Sequence, residues 1–93
     1  MEYRILGPLE VRDGGRSIPL GTAKQQALLA VLVLRANNFV PREQLIDELW
    51  GELPPPTAAK AVQVYVSHLR KLLAQNGEQG IATRSGGYVL SLD

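Results

Sequence analysis

The spacing of apolar residues divides the chain into a strand region, a helical region and a second strand region. Over the first twenty residues, apolar side chains recur mostly at even spacing, as in strands with one apolar face: Tyr3, Ile5, Leu9, Val11, Ile18 and Leu20. Gly7-Pro8 interrupts this run, and Asp13-Gly14-Gly15 has the composition of a hairpin turn. The pattern predicts three short antiparallel strands.

The apolar period becomes helical from Gly21 onward. Thr22 is a candidate N-cap for a helix over residues 23–35, which is apolar on nearly every side and is therefore expected to be central. A second helix is predicted over residues 41–50, because proline is tolerated in a first helical turn, and Gly51 ends it.

Three prolines separate the second helix from the third. The connector cannot be helical and is interpreted as a stiff spacer, with a polyproline ligand for a partner domain as the alternative; it comprises Glu52, Leu53, Pro54, Pro55 and Pro56. The third and longest helix is predicted over residues 57–75, with Thr57 as its cap and Asn76-Gly77 as its end. Residues 81–84, a turn at 85–87 and residues 88–92 then predict a β-hairpin.

The third helix has two distinct faces when its residues are placed at about 100° intervals. The apolar face, which we expect to be buried, contains Ala58, Val62, Tyr65, Val66, Leu69, Leu72 and Leu73. The opposite face contains Lys60, Gln63, Val64, Ser67, His68, Arg70 and Lys71. No acidic residue occurs between Leu53 and Gly77, whereas a helix that faces only solvent usually mixes the two signs of charge.

Charge is segregated along a chain whose total is nearly neutral. Ten Lys and Arg against nine Asp and Glu give a formal net charge of +1. The third helix carries +3, whereas residues 42–52, with one basic and four acidic side chains, carry −3. Hydrophobic residues make up 45% and charged residues 20%, which is the balance of a folded globular domain.

The outer face of the third helix has the chemistry that the major groove of DNA requires. Lys and Arg can neutralise phosphates or bind guanine, Gln63 can bind adenine, and Val64 can contact a thymine methyl group. The alternative is an ordinary solvated basic face. Trp50 is likewise either a core anchor or, through its indole N–H, a phosphate contact, and Arg84 is either an exposed turn residue or a groove contact.

Residues for other chemistry are scarce. The chain has no cysteine and one histidine, which excludes disulfides and leaves a zinc site or a histidine-based triad without partners. Asp47 and Glu48 are adjacent in a helix and do not form an acid/base pair, and the paired glycines lack the spacing of a phosphate-binding loop. We therefore expect neither an enzyme nor a cofactor. The longest apolar run, residues 27–34, is far short of the roughly 20 residues of a membrane span, so a soluble cytoplasmic protein is the default.

Five sequence blocks occur in order along nearly the whole chain: ILGPLEV at 5–11, KQQALLA at 24–30, VPREQLIDELWG at 40–51, VQVYVSHLRKLL at 62–73 and GYVL at 87–90. With the order of predicted elements, they resemble a winged helix-turn-helix of the OmpR/PhoB type. The chain resembles still more closely the N-terminal DNA-binding domain of the Streptomyces antibiotic regulatory protein (SARP) family. The resemblance implies an α+β fold with an N-terminal three-stranded antiparallel sheet, three helices and a C-terminal hairpin wing.

In such a domain the third helix enters the major groove and the wing reaches the flanking minor groove. On this chain the resemblance then places base or phosphate contacts on Lys60, Gln63, Val64, Tyr65, Ser67, His68, Arg70 and Lys71. It places further phosphate contacts on Thr22, Lys24, Arg42 and Trp50, and wing contacts on Thr83 and Arg84. Gln26 stands where the family commonly has a basic residue, and His68 where it frequently has arginine.

The resemblance also implies a transcription activator of a biosynthetic gene cluster, for antibiotics or other secondary metabolites. Such regulators bind direct repeats in double-stranded DNA as head-to-tail pairs, and they contact RNA polymerase holoenzyme through the loop that here comprises residues 52–56. Because family members usually continue into a helical activation domain, residues 1–93 are expected to be one domain of a longer regulator or an unusually short member. The alternative function is a winged-helix protein-interaction module without DNA affinity.

Overall fold

A computed structural model of the chain describes residues 2–4, 10–13, 16–17, 21–75 and 80–92. The elements follow one another as β1 (Glu2–Arg4), β2 (Glu10–Asp13), β3 (Arg16–Ser17), α1 (Ala23–Leu34), β4 (Val40–Pro41), α2 (Arg42–Trp50), α3 (Ala58–Gln75), β5 (Ile81–Arg84) and β6 (Gly87–Leu90). The strands form two three-stranded antiparallel sheets, in the orders β1-β2-β3 and β4-β6-β5. The expected α+β architecture is thereby confirmed.

The N-terminal sheet confirms the three predicted strands. Tyr3 pairs with Val11 between β1 and β2, and Asp13 pairs with Arg16 between β2 and β3. The predicted glycine turn at residues 14–15 and the break at residues 7–8 lie outside the described residues.

Helix α1 begins where its cap predicts but is less enclosed than its composition suggests. The hydroxyl oxygen of Thr22 accepts a hydrogen bond from the backbone N–H of Gln25 at 3.2 Å, as an N-cap does. Leu28, Leu29 and Leu32 are fully buried, whereas Leu34 is 70% exposed. Helix α1 contacts α2, α3 and β6, in agreement with the expectation of a central helix, although its fully buried residues lie on one side.

The second helix begins one residue later than predicted, because the preceding segment pairs with the wing. Val40 and Pro41 form the short strand β4, in which Val40 pairs with Tyr88 of β6. A proline fits this strand because β4 lies at the edge of its sheet, where a missing N–H breaks no ladder. Gly51 ends α2 with φ of 66°, a backbone conformation that glycine adopts without a Cβ clash.

Helix α3 packs its predicted apolar face against α1 and α2. Ala58, Val62, Val66, Leu69 and Leu73 are buried, and Tyr65 and Leu72 are half-buried. The helix begins at Ala58, one residue later than predicted, and the Thr57 carbonyl accepts the Ala61 N–H at 2.9 Å, as the backbone of an N-cap residue does. The predicted end at residues 76–77 lies outside the described residues. Among the helices that the structure describes, none has the length and apolar character of a membrane span.

The C-terminal hairpin, which we call the wing, consists of β5, β6 and the turn at residues 85–86. Gly86 adopts φ of 83°, but Gly87, which the sequence pattern placed in the turn, is part of β6. The second strand also ends at Leu90 rather than Leu92. The core that joins the helices to the wing contains Leu28, Leu29, Leu32, Val40, Leu45, Leu49, Val62, Val66, Leu69, Leu73, Ile81, Tyr88 and Leu90.

Candidate nucleic-acid interface

The outer face of α3 is open to solvent. Because the inner face packs on α1 and α2, the polar side of the helix is left exposed at Lys60, Gln63, Val64, Ser67, His68 and Lys71. Val64, at 40% exposure, is an apolar side chain among polar ones. Tyr65 is half-buried against the core and lies at the margin of this face. Six of the predicted contact residues therefore share one accessible surface.

Arg70 is a predicted contact whose guanidinium is already engaged within the protein. The side chain is half-buried. Its Nε donates a hydrogen bond to the backbone carbonyl of Ile81 at 2.7 Å, and a terminal nitrogen donates to the hydroxyl of Thr83. Arg70 therefore connects α3 with the first strand of the wing.

His68 lies at the other edge of the α3 face, next to the start of α1. Its Nδ1 is 3.3 Å from the side-chain oxygen of Gln25. Gln25 is 4% exposed and lines a cleft together with Gly21, His68, Lys71 and Leu72. The sequence pattern indicates no function for Gln25, because a glutamine in a helical run carries no signal of burial.

Lys24 and Trp50, two predicted phosphate contacts, lie against each other where α1 meets the end of α2. The Lys24 Nζ donates a hydrogen bond to the carbonyl of Leu49 at 2.5 Å and lies 5.5 Å from the centroid of the Trp50 ring. The ammonium thus binds a carbonyl in the last turn of α2, where positive charge is favoured. Trp50 is half-buried and packs on the core, as the structural interpretation of this residue predicts.

Arg42 and the wing turn are held together at the start of α2. The Arg42 backbone N–H donates to the carbonyl of Gly86 at 2.9 Å, and the Arg42 side chain is half-buried. Thr83 and Arg84 are exposed on the wing. Thr22, also exposed, caps α1 with its hydroxyl oxygen and keeps its hydroxyl proton for another acceptor.

The connector between α2 and α3 is separated from the wing by the length of α2. This nine-residue helix spans about 13 Å, with Arg42 beside the wing turn at one end and the connector at the other. Leu53 is 88% exposed, Glu52, Pro54 and Pro56 are exposed, and Pro55 is half-buried. The predicted polymerase contacts therefore form an accessible loop.

Charge on α2 has the opposite sign to charge on α3. Glu43, Asp47 and Glu48 are exposed on α2, and Glu52 is exposed just after it. Within the described parts of the chain, no three His, Cys, Asp or Glu side chains are grouped so that they could hold a metal ion. The arrangement offers one basic and polar helix face, a neighbouring wing and a separate acidic helix.

The chain is similar to several curated transcriptional regulators. It is 41% identical over 95 residues to the transcriptional regulatory protein EmbR of Mycobacterium tuberculosis, and the alignment covers 99% of this chain and 24% of EmbR. It is 40% identical over 91 residues to the regulatory protein AfsR of Streptomyces coelicolor, and the alignment covers 97% of this chain and 9% of AfsR. It is 33% identical over 101 residues to the regulatory protein DnrI of Streptomyces peucetius, and the alignment covers 100% of this chain and 37% of DnrI. The chain thus spans well under half the length of each of these relatives.

Solved structures show the same architecture. A structure of Mycobacterium tuberculosis EmbR in complex with a low-affinity phosphopeptide superposes with a TM-score of 0.93, at 41% identity, over 99% of this chain and 25% of EmbR. The DNA-binding domain of Bacillus subtilis CssR superposes with a TM-score of 0.72, at 27% identity, over 96% of this chain and 99% of that domain.

The comparisons agree with the arrangement of helices and wing described above. Residues 15–90 match the family model described as transcriptional regulatory protein, C terminal. The chain therefore belongs to this family of OmpR/PhoB-type winged-helix DNA-binding domains of transcriptional regulators, and SARP-family regulators are among its homologues.

Proposed function

We propose that this domain binds specific sequences in double-stranded DNA and activates transcription, with α3 in the major groove. The observation that carries the proposal is the exposed, acid-free face of α3 beside the wing. The major groove of B-DNA is about 12 Å wide and accepts a helix with its side chains. A face without carboxylates enters this groove without repulsion from the phosphates on either side.

The residues on the α3 face divide by chemistry into base contacts and phosphate contacts. Gln63 is suited to donate to and accept from one adenine, and Val64 to contact a thymine methyl group. Ser67 and His68 are suited to base edges, and Tyr65 reaches the interface at its margin. Lys60 and Lys71 are suited to phosphates or to guanine acceptors.

Contacts outside α3 fix the orientation of the domain on the duplex. Thr22, at the N-terminus of α1, can donate its hydroxyl proton to a phosphate, and Arg42 lies at the start of α2 beside the wing turn. Lys24 and Trp50 would bind a phosphate as a pair. On the wing, Arg84 would enter the minor groove, and Thr83 would donate its hydroxyl proton to the backbone.

The loop of residues 52–56 is the proposed contact with RNA polymerase holoenzyme. Its support is the exposed apolar side chain of Leu53, held in a proline-rich segment away from the wing. An exposed leucine on a stiff loop can enter a pocket on a partner at a low cost in conformational entropy. The proposal includes binding to direct repeats as head-to-tail pairs, in the cytoplasm, at the promoters of a secondary-metabolite gene cluster, as one domain of a longer regulator.

The test is selection of bound sequences from random duplexes, followed by binding isotherms over a range of salt concentration. Lys60→Ala is expected to weaken binding to all sequences and to reduce the slope of log affinity against log salt by about one. Gln63→Ala is expected to lose about 1–3 kcal/mol of discrimination at one base pair. Arg35→Ala is a charge-matched control, because this exposed arginine lies at the C-terminal end of α1, beside Gln44 of α2, and is not on the α3 face.

Equal affinity for selected and scrambled duplexes would refute specific binding. No duplex binding at low salt would instead favour the protein-interaction module. Footprinting on promoters shows whether protected sites are direct repeats. Leu53→Ser, which leaves the α3 face intact, is expected to retain DNA binding and to lose activation in a purified transcription assay.

A further inference from the structure

The side chain of Arg70, on α3, is directed to the wing. Its two acceptors, the Ile81 carbonyl and the Thr83 hydroxyl, lie two residues apart on β5. Ile81 is 5% exposed and belongs to the core, whereas Thr83 is exposed near the tip. One guanidinium therefore holds both the base of the wing and a point close to its turn.

The geometry requires arginine rather than a generic cation. The Nε–H and a terminal N–H belong to one rigid planar group, so two acceptors spaced along a strand fix its orientation. A lysine ammonium is a point donor on a flexible stem and cannot reproduce this pair of directed bonds. The orientation of β5 relative to α3 is thus fixed by polar contacts as well as by apolar packing.

We propose that Arg70 is a positioning residue that sets the wing against α3, so that Arg84 and the α3 face reach adjacent grooves together. The inference rests on the proposed DNA binding and adds to it how two separate contact surfaces are kept in register. A wing held in place before binding loses little conformational entropy on the duplex, whereas a loose wing must be ordered during binding. In this view Arg70 acts through Arg84 and Thr83 and makes no contact of its own with a base or a phosphate.

The experiment is a double-mutant cycle between Arg70→Ala and Arg84→Ala, measured by duplex binding. We expect Arg70→Ala to lower the affinity about tenfold, because the unfixed wing must be ordered on binding. In the Arg84→Ala background, Arg70→Ala is expected to lower the affinity only slightly, since the wing then has no Arg84 side chain to bring to its groove. Arg70→Ala and Lys60→Ala are expected to be additive, because Lys60 acts on the α3 face directly.

Conservative variants separate positioning from charge. Arg70→Lys keeps the charge and is expected to lose nearly as much affinity as Arg70→Ala. Thr83→Val removes one acceptor of Arg70 together with a hydroxyl that is proposed to contact the DNA backbone, so its effect on the wing is measured without DNA; Thr83→Ser keeps the hydroxyl. Urea unfolding checks that each variant is folded. If Arg70→Ala is unfolded, Arg70→Lys takes its place in the double-mutant cycle.

A measurement without DNA makes the two proposals separable. Amide hydrogen exchange in β5 is expected to be faster in Arg70→Ala and Thr83→Val than in the parent chain. If the parent chain binds duplex, two results would show that Arg70 contacts a phosphate directly: normal affinity in Arg70→Lys, or additive losses of affinity in Arg70→Ala and Arg84→Ala. Either result would overturn the positioning function and leave the proposed DNA binding intact. If the parent chain does not bind duplex, the proposed function fails, and the positioning function in DNA binding fails with it, whatever the exchange rates.

Discussion

The Nδ1 atom of His68 on α3 lies 3.3 Å from the side-chain oxygen of Gln25 on α1. This contact joins a residue of the exposed α3 face to Gln25, which is 4% exposed. An amide oxygen accepts hydrogen bonds, so the contact favours the tautomer with its proton on Nδ1 and leaves Nε2 of the neutral ring as an acceptor. Such a ring suits the amino group of adenine or cytosine, whereas the protonated ring would donate instead.

Gln25→Leu is predicted to release the His68 ring from this tautomer. The substitution keeps much of the side-chain volume but removes the acceptor, so the two neutral tautomers become more equally populated. The chain has one histidine, so the nitrogen-15 chemical shifts of its ring report the change without ambiguity. Gln26→Leu is the matched control, because the Gln26 amide donates to the Gly21 carbonyl at 3.0 Å. Identical ring shifts in both variants and in the parent would contradict the assignment.

Gly21→Ala is predicted to displace the Gln25 side chain. A Cβ at this position would lie 2.6 Å from the Gln25 Nε2, and the backbone φ of 83° is itself unfavourable for alanine. Gly86→Ala has the same φ but meets nothing within 4 Å, so it measures the backbone cost alone. We expect urea unfolding to show a loss of about 1 kcal/mol for Gly86→Ala and a larger loss for Gly21→Ala. Equal losses would show that Gln25 moves aside freely.

Lys24→Met is predicted to weaken the junction between α1 and α2. The change keeps the apolar stem but removes the ammonium from the Leu49 carbonyl and from the Trp50 ring, so we expect a loss of about 1 kcal/mol in unfolding free energy. Trp50 is the one tryptophan, and its fluorescence emission should change as the charge beside the ring disappears. Lys71→Met, an exposed lysine on α3, is the control and should leave the emission unchanged. If Lys24 also binds a phosphate, the salt slope of DNA binding decreases by about one.

Gly87→Ala is predicted to separate β4 from β6. The new Cβ would lie 2.3 Å from the Val40 carbonyl oxygen and 2.8 Å from the Phe39 ring. A backbone oxygen cannot rotate away as a side chain can, so the strands must part, at a cost of about 1–3 kcal/mol or more. Urea unfolding measures the loss, with Gly80→Ala as a control, because Gly80, like Gly87, has no positive φ and its Cβ would meet the Leu73 side chain only at 3.9 Å, an ordinary contact. A loss for Gly87→Ala no larger than the loss for Gly80→Ala would show that β4 tolerates the displacement.

The elements with a strong period were predictable from the sequence. Helix α3 alternates its apolar and polar positions at helical spacing, and the predicted buried residues are buried or half-buried. The Thr22 cap and the Gly51 stop were also predictable, because each acts through its own backbone and nearest neighbours. Strand β4 was not, since Val40 and Pro41 are too few to show a period and their pairing partner lies far along the chain.

The candidate site also has a part that the sequence predicted and a part that it did not. The exposed set on α3 and its lack of acidic residues follow from periodicity and composition, so the sequence predicted the face that we propose for DNA. The destinations of particular polar side chains did not follow. On a helical wheel Arg70 lies about 80° from Lys60, at the flank of the polar face. The wheel does not say what the Arg70 guanidinium binds, and the structure shows that it binds the wing, whereas Lys60 is exposed.

The sequence by itself determined the order of the three helices and of the strands other than β4, the cap of α1 and the stop of α2, which side of α3 is apolar, and how charge is distributed along the chain. These properties depend on residues within a few positions of one another. Only the tertiary structure decided that Gln25 is buried beside His68, that Lys24 binds the end of α2, and that Arg70 joins α3 to the wing. Each of these contacts joins residues from different elements, and their partners are selected by the packing of the helices and the wing around the shared core.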